Sequence, residues 1–300
     1  MWRIWHLISA GVLASVCPLA LIKEVLSETG RASQRERLLR ARAVVNHVMA
    51  LALWRDAPLE EVLRVVGERL QWLGDGRAGA AGQASESAIS QARARLGAEV
   101  MQQLADRVLR PLAAPGAPGA WYRRLRVMAL DGSGMDVADE AANAQYFGYP
   151  CAGRGHSAFP QARLLGLVEC GTHAAVAADI GTYSQSERVM ASRLLPQKLT
   201  ADMLVLADRS FYGFKLWQVA CATGAKLAWR VPSTIRLPIE KALPEGSCLS
   251  TVFDSDARKS ERVGQTVRVV DYLLTNSATP TQDSYQLVTN ILDPENAPTL

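Results

Sequence analysis

Two aspartates in this chain each follow a short apolar run. Asp131 comes directly after Val127-Met128-Ala129-Leu130 and before Gly132-Ser133. Asp208 comes directly after Met203-Leu204-Val205-Leu206-Ala207 and before Arg209-Ser210-Phe211-Tyr212-Gly213. An apolar run of four or five residues bounded by turn formers predicts a strand buried on both faces. A carboxylate at the end of such a strand sits at the rim of a sheet, where open sheets place their ligands. One strand-end aspartate is usually just a turn former. Two of them, if their strands are neighbours, would repel each other unless a cation lay between them. A hard divalent ion, Mg2+ or Mn2+, fits oxygen ligands. Two such ions about 4 Å apart can activate a water or a sugar hydroxyl and stabilise the leaving oxygen at a phosphodiester.

The elements that must position these residues follow from the pattern around them. Leu125–Leu130, Ala162–Cys170 and Ala174–Ile180 read as three successive strands joined by short turns. Gln185–Lys198 reads as a helix, Met203–Ala207 as a fourth strand, Phe214–Thr223 as a helix and Lys226–Val231 as a fifth strand. Three meandering strands followed by alternation with helices predict a mixed sheet in an α/β layer fold. Between about 232 and 284 the helical period disappears. Thr251–Phe253, Gln265–Val270 and Tyr272–Thr275 read as short strands of an inserted β-rich piece, and Tyr285–Leu292 as a further strand.

Residues 1–112 have a different character and read as an all-helical domain. Arg35–Leu53 is a long segment with few breakers, and Asp56 and Pro58 open a helix over Leu59–Gly67. A glycine-rich loop spans Gly74–Gly82, and a polar helix then runs from about Ser85 through Leu96 to a stop at Gly97. Its Ser87, Ser90, Gln91, Arg93 and Arg95 make it a candidate DNA-reading helix. A solvated helix face would have the same composition. The segment from Ala113 to Ala120 reads as a linker, and residues 121–300 as the body that carries the aspartates. Charge divides in the same place. Residues 1–126 hold 18 Lys+Arg against 11 Asp+Glu, whereas residues 127–300 hold 15 against 18. A basic first half and an acidic second half suit a nucleic-acid grip joined to a metal-binding body.

Other chemistry is poorly supported. Five scattered cysteines without a Cys-x-x-Cys read as reduced thiols. Cys151 and His156, then Cys170 and His173, have a zinc-like spacing in an order no common finger uses. No phosphate-binding loop or dinucleotide fingerprint occurs. Asp131-Gly132-Ser133 has serine where an Asp-x-Asp phosphotransferase needs its general acid. Ile4–Ile22 lacks Asp, Glu, Lys and Arg, but His6, Ser9, Gly11, Ser15 and Pro18 dilute it. It reads as a packed helix of a cytoplasmic protein with no membrane role.

Several blocks together resemble a known family. They are Leu130-Asp131-Gly132-Ser133, Asn143, Phe147-Gly148, Phe159-Pro160-Gln161-Ala162-Arg163, Glu169-Cys170-Gly171-Thr172-His173 and Ala207 through Gly213. Leu38–Arg55, Arg55-Asp56, Glu60-Glu61-Val62-Leu63 and Ser87 through Gly97 extend the likeness into the first half. Nearly the whole chain resembles the DDE transposases of the insertion-element-four family. The resemblance implies a ribonuclease-H-like core with a β insertion before the last helix. It implies that Asp131 and Asp208 are the first two metal-binding carboxylates, and that transposon ends are cut by metal-assisted hydrolysis and joined to target DNA by transesterification. Double-stranded DNA, a homodimer on that DNA and a bacterial, nucleoid-associated location are implied with it. Arg209 is expected to hold a DNA phosphate or a neighbouring carboxylate. Glu169 and Glu187 are expected to be structural and Asp136 solvated. The family's third carboxylate lies in a Tyr-Arg…Glu…Lys pattern that these 300 residues do not contain, and Glu295 in its turn is no substitute. The reading therefore expects an inactive or partial copy, or alternatively a DNA-binding inhibitor without catalysis.

Overall fold

The structure, a computed structural model, describes residues 13–33, 39–54, 56–72, 84–152, 155–254, 263–275 and 282–298. The expected helix start at Arg35, the Gly74–Gly82 loop and residues 4–12 of Ile4–Ile22 lie outside the described residues. The chain divides into two compact units, Met1–Leu109 and Arg110–Leu300.

The first unit is helical: α1 (Leu19–Glu28), α2 (Ala41–Leu53), α3 (Leu59–Trp72), α4 (Glu86–Leu96) and α5 (Ala98–Val108). Apolar side chains at helical spacing meet in its core. Ile22, Val25 and Leu26 from α1, Val44 and Val45 from α2, and Ile89, Ala92 and Leu96 from α4 are among them. The start of α2 is held by Ser33, whose hydroxyl accepts from the Ala41 N–H at 2.9 Å. Helices α4 and α5 are consecutive because Gly97 ends one and opens the other. Its φ of +75° is the left-handed conformation that a side chain resists. Arg107 on α5 pairs with Glu24 and Glu28 of α1.

The second unit is built on one mixed sheet. Its elements are β1 (Trp121–Tyr122), β2 (Leu125–Asp136), α6 (Ala141–Phe147), β3 (Cys151–Ala152), β4 (Gly155–His156), β5 (Gln161–Glu169), β6 (Ala175–Thr182), α7 (Glu187–Lys198), β7 (Met203–Ala207), α8 (Phe214–Ala222) and β8 (Lys226–Arg230). They continue with β9 (Lys241–Ala242), β10 (Cys248–Phe253), β11 (Gly264–Thr275) and β12 (Gln282–Thr289), then a 3-10 turn at Pro294–Asn296. Among the described residues the strand order is β6-β5-β2-β7-β8-β12-β11-β10-β9, with β1 pairing β2. Strands β2, β7 and β8 are parallel; β5, β6, β12, β11, β10 and β9 join antiparallel.

The register lays out one apolar row across the sheet. Ala177, Leu167, Leu130, Ala207, Trp229, Val288 and Val269 stand side by side on successive strands. Because strand side chains alternate, these residues share a face. Met190, Ala191, Leu194 and Leu195 of α7 and Leu216, Trp217 and Ala220 of α8 pack into the same core. Trp217 and Trp229 meet edge to face at 5.2 Å. The other face keeps apolar side chains in water: Leu206 is 38% exposed and Ile180 62%.

Three differences from the sequence reading have physical causes. Strand β2 does not end near Asp131 but continues to Asp136, because β5 keeps hydrogen-bonding to it through Gly132-Ser133-Gly134. The segment read as an inserted piece adds its strands to the main sheet, through the pairing of β12 with β8. Gln265–Val270 and Tyr272–Thr275 form one strand, since Asp271 is paired with Gln286 rather than turning the chain. The stretch Ala113–Ala120 forms turns seated on this unit, with Ala120 fully buried and Trp121 Nε1 donating to the Ala114 carbonyl at 2.9 Å.

Candidate functional site

Parallel pairing between β2 and β7 sets the geometry of the two aspartates. Arg126 stands opposite Met203 and the register runs to Leu130 opposite Ala207. The next residue of each strand is an aspartate, so Asp131 and Asp208 are side by side, on strands spaced about 4.8 Å apart. Asp131, still within β2, lies by strand alternation on the face opposite Leu130, and Asp208 is the first residue after β7. Both are exposed.

Local backbone fixes each carboxylate. Asp131 Oδ1 accepts from the Gly132 N–H at 2.8 Å. Asp208 Oδ1 accepts from the Ser210 N–H at 2.6 Å, a turn in which the side chain caps its own loop. Phe211, fully buried in the sheet core, anchors that loop, and its N–H donates to the Asp208 carbonyl. One oxygen of each aspartate is thereby engaged and Oδ2 of each remains free among the described residues. Two exposed carboxylates, each with an open oxygen, fit a magnesium-type ion, which commonly takes one or two carboxylates and fills its remaining positions with water and phosphate. Among the described residues no group of three or more His, Cys, Asp or Glu side chains gathers at a metal-binding distance.

Neighbouring residues fall into distinct roles. Arg209 is exposed and forms no ion pair among the described residues. Asp136 is exposed and accepts from Gln161 Nε2 at 2.8 Å. Glu169 is fully buried opposite Met128, three residues back along β2 from Asp131. Its carboxylate accepts from the Leu112 N–H at 3.0 Å, the Ala113 N–H at 2.8 Å, the Thr172 hydroxyl at 2.5 Å and the Arg126 guanidinium. Burial pushes its pKa upward, but the Thr172, backbone and Arg126 bonds outweigh that and hold it below the usual carboxylate range. Glu187, at the start of α7, pairs with Arg163 at 3.0 Å. Arg163 and Arg188 were not singled out by chemistry in the sequence. Arg163 lay inside a resemblance block, and no local signal marked Arg188.

In the helical unit, Ser85 caps α4 by accepting from the Ala88 N–H at 3.4 Å. Ile89, Ala92 and Leu96 are buried. Ser87, Ser90 and Gln91 form the outward face, and Arg93 and Arg95 flank it on either side, as the 3.6-residue period requires. All five side chains are exposed. Arg31 Nη1 donates to the Arg95 carbonyl at 3.1 Å. The two arginines border a cavity of about 540 Å³ floored by Leu39, Val44 and Leu96. Behind this helix His47 of α2 is 1% exposed, with neither ring nitrogen hydrogen-bonded. Burial, together with the charge of Arg93, lowers its pKa to about 4.

The zinc-like spacing divides into two places. Cys151 Sγ lies 3.1 Å from His156 Nδ1 across the β3–β4 hairpin, whereas Cys170 and His173 are in the turn after β5. All five cysteines are free. No helix among the described residues is long and apolar enough to cross a membrane.

Residues 7–106 match the insertion element 4 transposase N-terminal family. The chain is 27% identical over 213 residues to the transposase InsG for insertion sequence element IS4 of Escherichia coli K12, covering 71% of this chain and 46% of InsG. It is 27% identical over 226 residues to the putative transposase InsZ of the same organism, covering 75% of this chain and 72% of InsZ. The chain thus spans less than half the length of InsG. Endonuclease V from Streptomyces avermitilis aligns with 64% of this chain and 74% of its own at 16% identity, but a TM-score of 0.24 carries no argument about fold.

Proposed function

We infer, since this chain belongs to the insertion element 4 transposases, that its sheet unit is built to cut and join phosphodiesters at transposon ends. One observation carries the reading: Leu130 stands opposite Ala207 in parallel strands, and an aspartate follows each. The strand order β6-β5-β2-β7-β8, antiparallel in its first three strands and parallel in its last three, supports a ribonuclease-H-like core. Asp131 and Asp208 would hold Mg2+ or Mn2+ through Oδ2. A bound divalent ion supplies charge neutralisation at the phosphate and lowers the cost of deprotonating a water or sugar hydroxyl. The Gly132 and Ser210 N–H groups orient the carboxylates before any ion arrives, which spares that rearrangement during reaction. Arg209, exposed beside Asp208, would meet a DNA phosphate. In the helical unit, the outward face of α4 would enter a major groove. Ser87, Ser90 and Gln91 would reach base edges while Arg93 and Arg95 contact backbone. Action as a homodimer on paired ends is part of the proposal.

The test is a binding and cleavage assay on double-stranded transposon-end DNA with the 300-residue chain. Binding that weakens steeply with salt is expected, as phosphate contacts require. Arg93→Ala with Arg95→Ala should reduce that binding at least tenfold. Any Mg2+-dependent nicking should vanish in Asp131→Asn and in Asp208→Asn. Salt-sensitive binding without nicking would assign this polypeptide the binding role alone. Absence of a shift at low salt would remove the DNA reading.

A further inference from the structure

The start of α7 touches both aspartate-bearing segments through two consecutive residues, Glu187 and Arg188. On one side, Glu187 lies over Gly132, the residue after Asp131. A Cβ at Gly132 would overlap the Glu187 carboxyl group, so the strand accepts no side chain there. Glu187 Oε1 accepts from Arg163 Nη1 at 3.0 Å, and Arg163 Nη2 donates to the Tyr183 carbonyl at 2.9 Å. Arg163 itself stands opposite Gly134 in the β2–β5 ladder, and Leu165 stands opposite Gly132. Gly132 therefore clears the face on which the Glu187–Arg163 pair rests, whereas a Cβ at Gly134 would meet only Gln161 Oε1 at 3.5 Å. On the other side, Arg188 Nε donates to the Ser210 carbonyl at 2.6 Å. The Ser210 N–H is the group that caps Asp208. Ser210 is thus held from both ends, by Arg188 at its carbonyl and by Asp208 at its N–H.

We propose that this first turn of α7 is a spacer that sets the separation of the two aspartates. Glu187 fixes the Asp131 strand by packing on Gly132, and Arg188 fixes the Asp208 loop through Ser210. Glu187 and Arg188 are positioning residues and touch no reacting atom. The idea rests on the metal-binding reading of Asp131 and Asp208. It adds that ion affinity depends on a helix turn that carries neither carboxylate. Groups that orient metal ligands commonly change affinity by an order of magnitude or more when altered.

The probe is Mn2+ alone, titrated into the full chain and followed by the loss of its free-ion electron paramagnetic resonance signal. Wild type should bind, while Asp131→Asn and Asp208→Asn should not. Arg188→Ala and Gly132→Ala should weaken Mn2+ binding about tenfold, and Arg188→Lys should recover part of the loss. Thermal midpoints measured alongside separate loss of spacing from loss of fold. Because Arg188 is exposed, its alanine variant is expected to fold even if Gly132→Ala does not. A folded Arg188→Ala chain that binds Mn2+ within twofold of wild type would overturn the spacer. Wild type that fails to bind Mn2+ would instead remove the metal reading of the aspartates, and the spacer with it.

Discussion

Strand β2 has one carboxylate beside its start and another of its own past its middle, and the two differ in how they are held. Near its start, Glu169 on β5 is fully buried and accepts from four donors: two backbone N–H groups, a hydroxyl and a guanidinium. Past its middle, Asp131 is exposed, engages one backbone N–H and leaves an oxygen open beside Asp208. A carboxylate whose lone pairs are consumed by protein is part of the frame. A carboxylate left half-satisfied beside another of its kind is free to accept from a further partner. Residue type and strand position are similar in the two cases, so the distinction lies in the donors around each group.

The largest expected effect tests the frame. Glu169→Gln should destabilise the sheet unit by about 3 to 5 kcal/mol, because Arg126 would keep its charge in a mostly buried place without its partner. Chemical denaturation of the full chain, read at Trp217 and Trp229, would show it. A loss below about 1 kcal/mol would mean that the cluster is dispensable.

A second test sets Glu169 against His47, which is buried with no hydrogen-bond partner among the described residues. His47 is held near 4 from a usual 6.5, so the folded helical unit binds fewer protons than the unfolded chain between those values. Its stability should be complete above about pH 6.5 and fall by on the order of 3 kcal/mol as pH drops to 4. Glu169 is held below the usual carboxylate range, so its contribution is present above that range and is lost only as pH falls through it. Hydrogen exchange should therefore show α2 loosening at a higher pH than β2 and β5 do. His47→Leu should flatten the response of the helical unit, and an unchanged slope would assign it to another group.

The smallest expected effect is on the aspartates themselves. Asp131→Asn or Asp208→Asn should move folding stability by no more than about 0.5 kcal/mol, as exposed substitutions do. A large loss would place them in the frame with Glu169.

Much of this contrast was legible in the sequence, but only in part. The runs Val127–Leu130 and Met203–Ala207 announce buried strands, and the strand–helix alternation after Gln185 makes their adjacency a reasonable expectation. Trp217 and Trp229 lie in the core these runs build. Gly132-Ser133-Gly134 looks like a turn and is a strand, because the hydrogen bonds that keep it extended come from β5, thirty residues on. Glu187 reads as a carboxylate suited to a helix N-terminus, and it is one. That it also fills the space over Gly132 depends on a contact 55 positions away, which no local pattern encodes. The short helix α6 lay unread because it buries no side chain, leaving no apolar stripe to find.

Strand β7 stops at Ala207 whereas β2 runs on to Asp136. From Asp131 onward, the side of β2 that faced β7 therefore has no strand beside it among the described residues. Bare backbone of that kind invites pairing with a stranger chain. The negative charges at Asp131 and Asp136 act as gatekeepers on this seam, discouraging another molecule from stitching itself on. Neutralising Asp131 should then make concentrated solutions of the variant stickier.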